Sequence, residues 1–308
     1  MKVCFFGMGS IGTRHACNLK KIMQKKEKGV EIHAFRSSPG SGVLSEYVDN
    51  NIFEWALLDP PYDAVFITNP TSLHYETLSK AMDLASAFFI EKPIFHSSSL
   101  LLDELMPLKK KITYVACPLR FHPLLVHLKQ DFSDKVLVAQ VTSSSYLPDW
   151  RKGRDYRTSY SASREMGGGV ALDLIHEVDY VRHLFGIPEK CQRAAAQFSS
   201  LEIKSDDYAA YLLTYRDKGV EIHLDYFGRT PQREIRLICE KGTYLGDLLK
   251  NTLTNLTTGE EIVFPYTDIY MEEMEYFLKM ARGNTATFND VFSAVETLRL
   301  AEGRNCHD

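Results

Sequence analysis

The chain has 308 residues, 44% of them hydrophobic and 25% charged, the balance of an ordinary globular protein long enough to build two domains. A formal net charge of −4 gives no footing for nucleic-acid or anionic-membrane partners. Six scattered cysteines without a C-x-x-C pair, three of them (Cys4, Cys117 and Cys239) in apolar runs, argue against a secreted disulfide framework and for a cytoplasmic protein.

The opening apolar run, Val3 to Phe6, is too short for a signal peptide or membrane span and reads as a fully buried strand. It enters Gly7-Met8-Gly9-Ser10-Ile11-Gly12, a G-x-G-x-x-G between a strand and a helical segment, the context in which this motif holds a dinucleotide. Gly7 permits the tight turn, Gly9 the approach of a pyrophosphate, and Gly12 close packing of helix on strand. Ser10 and Ile11 open a helix whose unpaired N–H groups favour phosphate. A second strand, Glu31 to Phe35, ends at Arg36-Ser37-Ser38. An NAD-preferring site usually carries an acid here for the ribose 2'-hydroxyl, whereas a guanidinium suits a 2'-phosphate. The cofactor therefore reads as NADP or NAD with NADP favoured; the plain alternative is a surface arginine beside a turn at Pro39-Gly40.

The strand Ala64 to Thr68 ends at Asn69-Pro70-Thr71, and a helix from about Ser72 puts His74 in its first turn, near the strand ends where ligands bind in such sheets. Ala87 to Ile90 runs into Glu91-Lys92-Pro93, where the proline stops the strand and biases the lysine towards an extended backbone at its tip. Ile112 to Ala116 is the last strand of this half, and Cys117-Pro118 separates a dinucleotide-binding domain, 1–118, from a second domain, 119–308. The alternation of strand and helix predicts an α/β fold with a doubly wound parallel sheet of Rossmann type.

In the second half a helix is expected over Leu124 to Asp131 and a strand over Val136 to Tyr146. The loop from Leu147 to Arg157 is dense in aromatics and arginine. Trp150, Arg151 and Arg157 could stack on sugar faces and bind hydroxyls or a carboxylate; the equal alternative is a surface loop stapled by local ion pairs. Gly167-Gly168-Gly169 then opens a helical pattern that lasts to Gly186. At about 100° per residue, Ala171, Leu174, Val178, Val181 and Phe185 share one face, with Asp173, His176, Glu177 and Tyr180 opposite. That second face is either solvated or a histidine flanked by carboxylates. Alternating segments at Arg193 to Ser199, Tyr208 to Tyr215, Val220 to Tyr226 and Glu234 to Glu240 predict a broad sheet, with a hairpin at Asp217-Lys218-Gly219. Helices over Ile269 to Arg282 and Phe288 to Glu302 close the chain. Neither H-E-x-x-H nor paired Cys/His spacing occurs, so no metal is expected.

The ordered pieces Gly7-Met8-Gly9-Ser10-Ile11-Gly12, Asn69-Pro70-Thr71-Ser72-Leu73-His74, Glu91-Lys92-Pro93 and Gly167 to Asp179 resemble the Gfo/Idh/MocA family, the glucose-fructose oxidoreductase and inositol dehydrogenase group, over essentially the whole chain. The resemblance implies a Rossmann domain followed by an α+β domain with an open, mostly antiparallel sheet. It implies an NAD(P)-dependent oxidoreductase acting on a hydroxyl-bearing carbon of a sugar, cyclitol or related small molecule. By position, Lys92 matches the lysine that holds the substrate hydroxyl and His176 the acid/base. Asn69, Pro70, His74 and Glu91 fall to the cofactor side, and Arg120 to the substrate side. Many members have Asp-x-x-x-His where this chain has Asp173-x-x-His176, so Asp173 is read as orienting the imidazole or binding a neighbouring hydroxyl. A homo-oligomer through the second sheet is also implied by resemblance. Two rival readings are a non-catalytic NAD(P) or sugar sensor and an enzyme that retains its cofactor for a non-redox outcome, such as glycoside cleavage or epimerisation. The presence of both Lys92 and His176 speaks against the sensor.

Overall fold

A computed structural model describes residues 1–37, 46–100, 102–283 and 287–305; the expected Pro39-Gly40 turn lies outside them. Six short strands, rich in Val, Ile and Phe, make the first sheet: β1 (Lys2–Phe6), β2 (Glu31–Phe35), β3 (Asn50–Ile52), β4 (Ala64–Ile67), β5 (Ala87–Ile90) and β6 (Ile112–Val115). All pair in parallel, in the order β3-β2-β1-β4-β5-β6. The order reverses between β1 and β4, and the crevice at their carboxyl ends is where such sheets bind ligands. Every residue of β4 and β5 is buried, as strands covered on both faces must be. Helices α1 (Ser10–Lys25) and α2 (His74–Ala81) follow β1 and β4. Between β5 and β6 the described residues form a 3-10 segment, Asp103–Lys110, with Pro107 inside it to bar a regular helix. Strand β3 escapes sequence reading because three residues, two of them asparagine, carry no alternation.

The second unit opens with α3 (Pro123–Gln130), long strand β7 (Val136–Tyr146), the short α4 (Val170–Asp173) and α5 (Ile175–Phe185). Strands β8 (Lys190–Ala196), β9 (Tyr208–Thr214), β10 (Gly219–Asp225), β11 (Phe227–Cys239), β12 (Thr243–Asp247), β13 (Thr252–Asn255) and β14 (Glu261–Val263) complete an eight-stranded sheet ordered β14-β13-β12-β11-β7-β10-β9-β8. Only the β7–β10 pair is parallel. One face of this sheet is apolar and buried, through Ala139, Val141, Tyr211, Ile222, Ile235 and Leu237, and α4 and α5 pack against its strands. The opposite face carries a concavity of about 540 Å3 whose lining includes Gln140, Thr142, Glu221, His223, Glu234 and Arg236. The period of two therefore sorts most apolar from polar side chains, Leu212 and Ile238 on the second face excepted.

Neither compact unit is a single stretch: Met1–Pro118 groups with Asp268–Val295, and Leu119–Thr267 with Glu296–Asp308. The reason is α6 (Ile269–Ala281), whose Met274, Phe277 and Leu278 need a core. It packs on α1, and Phe277 stands edge-on to Phe66 and Phe89 at 5.4 and 5.3 Å between ring centroids. Helix α7 (Val291–Ala301) follows, its Val291 N–H donating to Thr113 Oγ1. Among the described residues no helix is long and apolar enough to cross a membrane.

Candidate active site

The three glycines after β1 do different things. Gly7 has φ +105°, and a Cβ there would lie 2.5 Å from the Asn69 nitrogen. A Cβ on Gly12 would lie 2.3 Å from the Gly7 oxygen, so both glycines let the loop pack on the turn after β4. Thr68 Oγ1 donates to that same Gly7 oxygen at 2.6 Å. Gly9, in contrast, faces open space, with nothing within 4 Å of its would-be Cβ. Helix α1 starts at Ser10 with no side-chain cap and no acid in its first turn, which leaves its N–H groups and positive dipole end for an anion. Ser10 is exposed and Ile11 half-buried beside this opening. An open cradle of backbone donors fits the pyrophosphate of a dinucleotide.

Arg36 follows β2, buried, and its Nη1 donates to Asn51 Oδ1 at 3.5 Å; Ser37 beside it is exposed. After β4, Asn69 Nδ2 donates to Thr77 Oγ1 at 2.8 Å while its Oδ1 is buried with no donor, and Pro70 is exposed. His74 is turned inward rather than towards a ligand. Its Nε2 lies 2.9 Å from the Asn69 carbonyl and its Nδ1 3.1 Å from those of Pro93 and Ile94, so the ring ties the turn after β4 to the turn after β5. Burial, opposed by these carbonyls, holds its pKa below the ordinary histidine value. Glu91 is turned inward too: Oε1 lies 2.6 Å from His15 Nε2, and Oε2 accepts the Lys92 backbone N–H at 3.1 Å. Burial alone would raise its pKa, but the interactions with His15, and then those with Lys92, outweigh it and hold the carboxyl below its usual range. Lys92 itself is half-buried at the tip of β5.

In the second unit the helix expected from 170 to 186 is broken. Helix α4 ends at Asp173, Leu174 leaves helical geometry at φ −96° and ψ 29°, and α5 starts at Ile175. The triple glycine serves packing: Gly167 and Gly169 have φ +82° and +122°, and a Cβ on Gly168 would lie 2.0 Å from the Tyr160 oxygen. The face opposite the apolar stripe is not solvated either. Glu177 and Tyr180 are fully buried, and Arg233 Nε lies 2.8 Å from Glu177 Oε1. Asp179 accepts a two-pronged bond from Arg120, Nε at 2.9 Å and Nη2 at 2.7 Å. The Arg120 fork, expected at the substrate, is thus engaged in a buried structural pair.

Asp173 is buried and accepts the Tyr226 hydroxyl at 2.5 Å. Burial and then the Asp173 charge push the Tyr226 hydroxyl well above its ordinary pKa, so it stays a donor. Tyr160 also bonds to Asp173, and the Arg151 guanidinium lies 5.9 Å from the Tyr160 ring centre. Trp150, 38% exposed, meets Tyr226 edge-on at 5.3 Å and donates its indole N–H to Ser145 Oγ at 2.9 Å. Trp150, Arg151 and Asp173 therefore share one cluster, joined by Tyr160 and Tyr226, which the sequence did not single out. Arg157 is elsewhere in its bonding: it pairs with Asp155 at 2.8 Å and with Glu202 at 3.4 Å, the surface staple that was its alternative reading. His176 is half-buried in the first turn of α5. Among the described residues no group of three His, Cys, Asp or Glu is placed to hold a metal ion.

A glycine-loop cradle at the switch point of a six-stranded parallel sheet, with a lysine at the tip of β5, defines a dinucleotide-binding oxidoreductase. The chain belongs to the GFO/IDH/MocA family: residues 1–111 match the oxidoreductase family with NAD-binding Rossmann fold, and 134–245 the GFO/IDH/MocA C-terminal domain. It is 25% identical to the uncharacterized oxidoreductase YrbE of Bacillus subtilis (strain 168), over 96% of this chain and 92% of that protein. It is also 25% identical to the myo-inositol 2-dehydrogenase of Thermotoga maritima, over 91% of this chain and 87% of that enzyme. The fold is shared with the UDP-N-acetylglucosamine 3-dehydrogenase GnnA from Acidithiobacillus ferrooxidans, at a TM-score of 0.78 and 20% identity over 99% and 96% of the two chains. It is shared likewise with a levoglucosan dehydrogenase solved with NADH and levoglucosan, at a TM-score of 0.80 and 14% identity over 98% and 95%.

Proposed function

We propose that this oxidoreductase moves a hydride between a nicotinamide dinucleotide and a hydroxyl-bearing carbon of a sugar, cyclitol or sugar derivative. The observation that carries the reading is Lys92, anchored through Glu91 and the His74 staple at the end of β5 in the same unit as the Gly9 cradle. When bound, the nicotinamide supplies the hydride acceptor or donor. In the oxidising direction His176 takes the hydroxyl proton on a ring nitrogen, acting as the general base. The Lys92 ammonium donates to the same oxygen and stabilises its developing negative charge. Asp173, held by Tyr226, fixes the wall that Trp150 and Arg151 complete, and this wall supports a hydroxyl-rich, polar substrate. Inositol-directed relatives support the cyclitol part of this substrate class.

The test is a titration with NADPH and NADH separately, followed by a screen of sugars and cyclitols with the preferred cofactor. Tighter NADPH binding supports Arg36 as a reader of the 2'-phosphate; tighter NADH binding removes that role. Lys92→Met and His176→Ala should each lower kcat about 10²–10⁴-fold while dinucleotide binding persists. Full turnover in either variant would end the assignment. We also propose that a second copy of the chain covers the polar face of the eight-stranded sheet, where Leu212 on β9 and Ile238 on β11 are exposed. Sedimentation of the wild type against Leu212→Glu, which should dissociate the assembly, tests this.

A further inference from the structure

We infer that His15 is a positioning residue for Lys92, acting through Glu91. This deepens the dehydrogenase reading and rests on it. The three residues belong to one unit and form two links, the second through the Lys92 backbone. His15, with no exposed surface, meets Glu91 Oε1 at 2.6 Å, and Glu91 Oε2 accepts the Lys92 backbone N–H at 3.1 Å. The His15 ring is locked by Phe89, edge-on at 4.7 Å, with Tyr270 of α6 on another side at 6.3 Å. The titratable groups around the Glu91 carboxylate are thus His15 from α1, His74 from α2 and the adjoining Lys92; Tyr270 faces the His15 ring from α6.

The hydrogen-bond inventory fixes the direction of donation. His15 Nδ1 is buried with no partner. A proton there would be an unsatisfied donor, whereas the tautomer with its proton on Nε2 aims the donor at the carboxylate and leaves only a lone pair inside. A buried carboxylate needs such donors to remain an anion. With His15 donating, Glu91 stays ionised beside the Lys92 ammonium and keeps an acceptor oxygen for the Lys92 N–H. Without it, the same burial favours the protonated acid, and the lysine loses a fixed counter-charge directly behind it. His15 stands one helical turn after Gly12, so the helix that starts at the phosphate cradle also sets the lysine.

The decisive measurement is infrared spectroscopy of the full-length protein, since a protonated carboxyl has a carbonyl band that a carboxylate lacks. In His15→Phe a new carboxylic-acid band should appear at neutral pH, and His15→Phe/Glu91→Gln should abolish it. Wild type should show no such band. His15→Gln, which retains an N–H donor, covers the case in which the phenylalanine variant does not fold. Its band should appear at a pH about one unit above that of wild type, a tenfold shift in the proton equilibrium. A Glu91 carboxyl that titrates as in wild type in every folded variant overturns the inference.

Kinetics give the second readout. The kcat of His15→Phe should fall about tenfold below neutral pH and recover as pH rises and Glu91 ionises again. His15→Gln should show a smaller acid loss, with dinucleotide Kd within about threefold of wild type in both. A loss that is independent of pH, or one that tracks lost dinucleotide binding, would mean a merely structural role. Wild type that turns over no polyol counts against the dehydrogenase reading alone, because the infrared band still decides the His15–Glu91 link.

Discussion

In the first unit most of the groups around Lys92 are tied to backbone, the His15–Glu91 contact being the side-chain exception. Thr68 holds the Gly7 carbonyl, His74 is seated among three carbonyls, and Glu91 holds the Lys92 N–H. In the second unit the corresponding anchors are side chain to side chain and far apart in sequence: Arg120 with Asp179 at a separation of 59 residues, Asp173 with Tyr226 at 53. The first kind of anchor needs one side chain beside a fixed chain path, so it shows up as a short motif. The second needs two residues that only the finished fold brings together. The two also differ in vulnerability, because deleting one member of a buried charge pair strands the other.

That contrast is sharpest at the Arg120–Asp179 pair. Asp179→Ala should cost about 3–5 kcal/mol in urea unfolding, whereas replacing both members, Arg120→Met with Asp179→Leu, should cost far less. A double variant as unstable as the single one would mean that the pair is not the anchor. In the first unit the glycines separate packing from binding. Gly12→Ala should cost about 1–3 kcal/mol because its Cβ meets the Gly7 oxygen, and should weaken dinucleotide binding as well. Gly9→Ala has room, so it should leave the melting temperature unchanged while raising the dinucleotide Kd. Equal stability losses in the two would erase the distinction.

A smaller effect belongs to His183, whose pKa is pushed down from 6.5 to about 4 by burial, then by Arg120 and Lys129. Between those two values the unfolded chain binds the extra proton, so stability is fully present above 6.5 and falls as pH drops towards about 4. His183→Gln should flatten the unfolding midpoint across that window. Smallest of all is Arg157→Ala, which removes an exposed ion pair and should change neither melting temperature nor turnover; a clear loss of turnover would return Arg157 to the site.

The sequence made the first unit largely legible because its signals are local. A glycine loop directly after a strand, or a lysine before a proline at a strand tip, has its meaning within a few residues. The second unit was legible in its strands, where alternation needs no distant partner. It was misleading along 170–185: Leu174 fits the apolar stripe, so periodicity runs straight through a break that the chain makes there. The polar face of that helix carried the same ambiguity. Asp173 and Glu177 look solvated until Tyr226 and Arg233 arrive from elsewhere in the chain. Trp150 and Arg157, seven residues apart in one loop, ended in different surroundings for the same reason.

The return of α6 to the first sheet has a consequence for synthesis. When a ribosome has made residue 118, all six parallel strands exist, yet the aromatic surface of Phe66 and Phe89 still lacks Phe277. At about 5–20 residues per second, the missing helix follows on the order of ten to thirty seconds later. The second unit waits as well, since Tyr211 bonds to the Ala301 carbonyl near the end of the chain. A nascent chain therefore carries two incomplete cores at once, and each closes only after the segment 268–301 has left the exit tunnel.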